Sequence, residues 1–170
     1  MGQCIAVVSG KGGTGKTSFT AGVGAALALS GLRVLCVDCD IGLRNLDIAL
    51  GLSDAALMDF SDVAQQRCTL ERAVVAHPQL AKLSLLTAPI RQRGQPVTGE
   101  QMASLLRAVR MQYDFCLLDA PAGLGDGFLL ATAAADRCVV VTTADASSLR
   151  DAQHTVMELG RFGPGKLHLV

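Results

Sequence analysis

The segment Gly10-Lys-Gly-Gly-Thr-Gly-Lys-Thr17 constrains this 170-residue chain more than any other feature. It satisfies GxxxxGK[ST] at every fixed position. It lies between a short apolar run, Cys4 to Ser9, and an Ala-rich helical pattern, Lys16 to Ser30. That context predicts a buried strand, a glycine turn and a helix whose free N-terminal amides face whatever the turn encloses. The glycines let the backbone curl until N–H groups converge. The helix end adds partial positive charge, a combination suited to a polyphosphate. The candidate binding residues are Gly10, Lys11, Gly12, Gly13, Thr14, Gly15, Lys16, Thr17 and Ser18. Lys16 is expected to reach the β- and γ-phosphates of a nucleoside triphosphate, and the Thr17 hydroxyl to ligate Mg²⁺.

The remainder alternates apolar runs with helical patterns. Strands are expected at Arg33 to Asp38, Leu83 to Thr87, Phe115 to Asp119, Cys138 to Thr142 (fully buried) and from Leu167 to the end. Helices are expected after Lys16 (stopped by Gly31), within Ile41 to Leu52, over Phe60 to Ala76 (one or two, ended by Pro78), from the Thr98 N-cap to about Gln112, within Gly123 to Ala135, and over Ser147 to Arg161. Arg91 to Pro96 reads as a polar loop. Strands alternating with helices imply right-handed crossovers. The fold class is therefore α/β, a P-loop NTPase in which a mostly parallel sheet is covered by helices on both faces. No linker or repeat divides the chain, so residues 1–170 are expected to form a single domain. The last strand has no helix after it, so a C-terminally truncated protein or partial gene product is expected.

Two further strands end in acid, one at Asp38 with Asp40 beyond it and one at Asp119. Ligands in open parallel sheets bind beyond the carboxyl ends of the strands, so all three acids are expected near the phosphates. Thr17, Asp40 and Asp119 form the candidate metal set, with Asp119 holding Mg²⁺ through water. Lys11 has no role in the generic motif. A lysine there reaches either its own phosphates or those of a facing subunit, where it would act as an arginine finger does.

Composition excludes other classes. Lys+Arg and Asp+Glu are both 15, giving a net charge of zero, so no nucleic-acid partner is expected. No signal peptide opens the chain, and the longest apolar run, Ala21 to Leu29, suits a buried helix rather than a membrane span. Met-Gly-Gln-Cys at the start lacks the Ser or Thr an acylation signal needs, because Ala6 stands in that place. The six cysteines are scattered. Cys36 and Cys39 make a CxxC without a second pair, and a reducing, cytoplasmic setting fits best.

Lys11-Gly-Gly-Thr-Gly-Lys-Thr17 resembles the deviant Walker A loop of the MinD/ParA group of dimerising ATPases. Within that group Asp38-Cys-Asp-Ile-Gly-Leu-Arg-Asn-Leu-Asp47, Asp119-Ala-Pro-Ala-Gly123 and Ser147-Ser-Leu-Arg-Asp151 are similar to the MinD family. Arg44-Asn45-Leu46-Asp47 is the most specific piece. The resemblance implies ATP with Mg²⁺ and slow hydrolysis. It implies a sandwich homodimer in the ATP state, with Lys11 on the partner subunit's nucleotide and Asn45 near the dimer interface. It gives Asp40 the task of positioning the attacking water, Asp38 that of supporting the phosphate and Mg²⁺ site, and Asp119 that of the Walker B acid. The catalytic set is then Lys11, Lys16 and Asp40. It further implies a MinC-like inhibitor, a MinE-like activator, and attachment to the inner face of the cell membrane through a C-terminal amphipathic helix that these residues do not include. Two departures stand out. Ala144-Asp145-Ala146 replaces the family's Asn-Pro-Glu, and the adenine-recognition segment lies beyond residue 170.

Alternatives stay open at this level. A flagellar-placement or partition ATPase shares the loop. An iron–sulfur carrier of the same P-loop group would use paired cysteines. A nucleotide-binding adaptor, or a degenerate fragment, would bind without turnover.

Overall fold

Residue parity along the strands decides which helices each strand meets. The computed structural model describes residues 1–53, 55–91 and 94–170, so residues 92 and 93 of the expected polar loop lie outside the described residues. The elements run β1 (Gln3–Val8), α1 (Lys16–Leu29), β2 (Val34–Asp38), α2 (Leu46–Ala49), α3 (Phe60–Ala64), α4 (Leu70–Ala73), β3 (Val75–Ala76), β4 (Leu83–Leu86), α5 (Gly99–Gln112), β5 (Phe115–Asp119), α6 (Asp126–Ala133), β6 (Arg137–Val140), α7 (Ala146–Glu158) and β7 (Leu167–Leu169). The described strands form one seven-stranded sheet in the order β3-β4-β2-β5-β1-β6-β7. Every pairing is parallel except β3 with β4.

In β2, Leu35 and Val37 face one core and Val34 and Cys36 the other. In β5, Cys116 and Leu118 join the first, Leu117 the second. The first core is closed by α3, α5, α6 and α7 through Phe60, Leu106, Phe128 and Ala152. The second is closed by α1 and α2 through Ala21, Ala28 and Leu46. This alternation buries strands on both sides, as parallel sheets require. Parity also places Asp38 and Asp119 on the α1 side, in register with each other.

The chain leaves β1 toward β2 on one side, whereas β5 continues to β6 on the other. The loop after β1 therefore opens at the point where the winding reverses, the usual place for a ligand crevice. Helix α5 begins as expected at Thr98. Its hydroxyl accepts from Gln101 N at 3.2 Å while Gln101 Oε1 accepts from Thr98 N at 2.9 Å, a capping box.

Two expectations need correction. The Phe60 to Ala76 stretch is not helical throughout. After α3 and α4, Val75–Ala76 forms β3, antiparallel to β4, because the β-branched Val74-Val75 pair and the turn at Pro78 favour a hairpin over a further helical turn. Strand β6 is not fully buried. Cys138 and Val140 lie in the first core, but Arg137 and Val139 are half-exposed, since α1 covers β2, β4 and β5 more fully than β6. No described helix is long and apolar enough to cross a membrane.

Candidate functional site

The loop after β1 is shaped by glycines in conformations that other residues rarely adopt. Gly13 has φ 78° and Gly15 φ 92°. Gly15 caps α1 with no side-chain hydrogen bond, and no acidic residue occupies the first turn. The leading amides of a 14-residue helix are thus left for an external acceptor. Gly10 works differently. A Cβ there would come within 2.5 Å of the Asp151 carbonyl oxygen and 2.8 Å of Thr155 Oγ1, so the loop lies directly against α7.

Lys16 is buried, 8% exposed. Burial lowers its pKa, and Asp119 and Asp40 oppose that shift. Thr17 donates its hydroxyl to Asp119 Oδ2 at 2.7 Å, and Thr20 approaches Asp119 Oδ1 at 3.2 Å. Burial raises the Asp119 pKa, countered by the Thr17 hydroxyl, then Lys16 and Thr20. Burial likewise raises that of half-buried Asp40, opposed by Lys16. Asp38 is shut away from solvent. Its Oδ1 accepts from Asp40 N at 2.8 Å and its Oδ2 from Leu46 N at 3.1 Å. Burial pushes it up to about 6, against the pull of those two amides. It therefore fastens the loop between β2 and α2 at both ends.

The resulting cavity, about 520 Å³, is lined by Gly12, Gly13, Gly15, Lys16, Thr17, Ser18 and Asp40, with Leu43, Asn45 and Ile48 on the opposite wall. A second cavity of about 450 Å³, between Ile41, Val97 and the Leu129–Leu130 pair, has Asp126 as its charged lining residue and, among the described residues, no basic group to hold a phosphate.

Lys11 does not line the cavity that Lys16 lines. Its Nζ is 3.9 Å from Asp145 Oδ1, both side chains being about half exposed. Asp145 caps α7, accepting from Ser148 N at 3.0 Å and from the Thr143 hydroxyl at 2.7 Å. Its hydrogen bonds with Ser148 and Thr143 hold the carboxyl well below the usual carboxylate range. The structure thus brings together Lys16, Thr17, Asp40 and Asp119, seats Asp38 behind them, and turns Lys11 toward α7.

Cys36 and Cys39 are buried in different cores, on opposite faces of the sheet, and cannot converge on one metal. Burial pushes the Cys36 thiol up to about 12. Among the described residues no three His, Cys, Asp or Glu side chains cluster as metal ligands. Mg²⁺ commonly takes only one or two protein carboxylates, with phosphates and water completing its shell. Residues that sequence reasoning missed are Thr20 and Asp145. Thr20 stands one turn after Thr17, on the same helix face, which is the signal that could have found it.

A strand, a glycine loop with an uncapped helix after it, and acid-ended strands beside that loop define a P-loop NTPase. Residues 2–162 match the model of a family described as AAA domain. The chain is 40% identical over 170 residues to the septum site-determining protein MinD of Synechocystis, covering 100% of this chain and 64% of that protein. It is 39% identical over 158 residues to MinD of Bacillus subtilis, covering 92% and 59%. Among solved structures it superposes with a TM-score of 0.88 and 36% identity on a MinC:MinD cell division protein complex from Aquifex aeolicus, covering 98% of this chain and 67% of that one. MinD complexed with Mg-ADP from Pyrococcus horikoshii gives 0.82 and 30%, covering 99% and 68%. The chain belongs to the MinD family of deviant Walker A ATPases. It spans about 60% of the length of the curated relatives named above.

Proposed function

We propose that this chain is the nucleotide-binding part of an ATP-dependent dimerising switch ATPase that positions the bacterial division site by recruiting a septum inhibitor to the membrane. The observation that carries the reading is the Thr17–Asp119 hydrogen bond, at 2.7 Å, beside buried Lys16 in the cavity wall at an uncapped helix end. These residues fit a magnesium nucleotide. The Thr14 hydroxyl is buried without a hydrogen-bond partner, as expected of a cradle wall made for another molecule's oxygens. In this reading the amides of Gly12 to Ser18 and Lys16 hold the phosphates, and Thr17 with Asp119 holds Mg²⁺. Mg²⁺ held there would neutralise phosphate charge. Asp40 orients the attacking water, and Asp38 keeps Asp40 in place through its backbone. ATP and water give ADP and phosphate, slowly until the partner subunit's Lys11 arrives. Residues 1–170 act as one domain.

Relatives support the finer parts. The Pyrococcus horikoshii MinD is described as complexed with Mg-ADP, and the Aquifex aeolicus structure as a MinC:MinD complex. A MinC-like partner, a MinE-like activator, an ATP-state homodimer and peripheral attachment to the inner membrane face belong to this proposal. The Arg44-Asn45-Leu46-Asp47 segment favours the division-site role over flagellar placement or partition. The test is calorimetric titration of the folded chain with ATP, with and without Mg²⁺, followed by phosphate release with and without a MinE-like activator. Saturable Mg²⁺-dependent binding and stimulated turnover are expected. Folded chain that binds no ATP overturns the reading.

A further inference from the structure

One turn beyond Thr17, the Thr20 side chain is wholly buried beneath the loop and does not line the cavity. Its hydroxyl is 2.9 Å from the Lys16 carbonyl oxygen and 3.2 Å from Asp119 Oδ1. A threonine inside a helix is already satisfied by the carbonyl four residues back, so packing alone does not call for a second acceptor. The hydroxyl has one hydrogen and serves one acceptor at a time. An ionised carboxylate is the stronger acceptor, since charge-assisted bonds are roughly twice as strong as neutral ones. Asp119 thus has a hydroxyl of α1 against each oxygen, Thr17 at Oδ2 and Thr20 at Oδ1, the second shared with the Lys16 carbonyl. The two grips are not equivalent. Thr17 lines the cavity, where its oxygen is available to a metal, whereas Thr20 is closed off from the cavity and has only the protein to bind.

We propose that Thr20 is a positioning residue for Asp119, holding Oδ1 so that Oδ2 keeps its aim toward the metal side of the loop. The proposal rests on the magnesium-nucleotide reading above. Thr20 does not line the cavity, so it acts on the site through Asp119 rather than by touching a ligand.

The test compares Thr20→Val, which keeps the shape and removes the hydroxyl, with Thr20→Ser, which keeps the hydroxyl. A fluorescent ATP analogue is bound first in EDTA and then across a Mg²⁺ titration, with thermal unfolding measured alongside. For Val, the Mg²⁺ concentration at half-saturation should rise about fivefold, the effect of one ordinary hydrogen bond. Its binding in EDTA should stay near the parent's, and Ser should restore the Mg²⁺ midpoint. A Val variant with the parental Mg²⁺ midpoint overturns the proposal. So does one weakened equally with and without Mg²⁺, because that pattern belongs to a residue supporting the fold alone. Should Val prevent folding, Thr20→Ala carries the same expectation. If the parent itself binds no analogue, the nucleotide reading fails and this inference with it. Failure confined to the variant comparison overturns this inference only.

Discussion

Asp38 and Asp119 occupy partnered positions at the ends of neighbouring parallel strands, yet their carboxylates serve different elements. Asp119 meets the Thr17 and Thr20 hydroxyls of α1, while Asp38 meets the backbone amides of Asp40 and Leu46. One acid faces the phosphate loop. The other fastens the segment that presents Asp40, Leu43 and Asn45 to it.

Replacing Asp38 by Ala removes the acceptor from two amides at once. Each unsatisfied buried donor costs roughly 1–3 kcal/mol, partly offset by release of a buried charge. A net loss of about 1–3 kcal/mol in urea unfolding is expected, with faster amide exchange at Leu46. Unchanged exchange at Leu46 would show that other contacts hold this loop.

Asp38 also gives a pH signature in the metal-free chain. Its folded pKa, about 6, lies above the ordinary 3.8 because the charged form is buried. A raised carboxylate pKa favours folding at low pH. This contribution is fully present below about 3.8 and is lost as pH rises through about 6. The difference in unfolding free energy between parent and Asp38→Asn should therefore change across pH 4 to 6 and level off above it. A flat difference across that window would mean Asp38 titrates normally.

Lys16→Ala should cut ATP affinity by about 10- to 100-fold, the range for losing a charged hydrogen bond. It also leaves Asp40 and Asp119 without their shared cation, so both carboxyls should protonate at higher pH than in the parent. Calorimetry gives the affinity and carboxyl NMR the titration. Affinity within twofold of the parent would remove Lys16 from the site.

Lys11 and Asp145 separate binding from assembly. Lys11→Ala should keep ATP affinity but lose dimerisation-linked hydrolysis. Asp145→Ala frees Lys11 from an exposed ion pair, so dimerisation with a slowly hydrolysed analogue should strengthen only modestly. Light scattering and phosphate release read both. Parental hydrolysis by Lys11→Ala would rule out its action across the dimer.

Gly10→Ala introduces a methyl that meets the Asp151 backbone carbonyl at 2.5 Å. Backbone cannot rotate away as a side chain can, so α7 must shift. A loss of about 1–3 kcal/mol is expected by thermal unfolding, the usual range for overpacking. An unchanged melting temperature would show α7 to be loosely seated.

Much of the fold is legible from the chain because its signals are local. GxxxxGK[ST] marks the β1–α1 junction, the Thr98 box marks the start of α5, and apolar runs ending at Asp38 and Asp119 mark β2 and β5. β3 is not legible. Two residues are too few for a periodicity, and it exists only because β4 offers an edge. The half-exposure of Val139 is set by which helices lie above β6, and its own neighbours in sequence are as apolar as those of a buried strand. In the site, the loop residues and the three acids are visible as types. Their division of labour is not, since it depends on which face of β2 and β5 each acid occupies and on what α1 brings within reach. Lys11 beside Asp145 depends on contact between elements more than 130 positions apart.

Gly10 has no side chain because the backbone of α7 fills that space. The floor of the phosphate cradle and the inner side of α7 are therefore a single shared partition. The outward side of that helix presents Leu149 and Met157, 47% and 71% exposed, so the element that backs Gly10 also carries apolar surface.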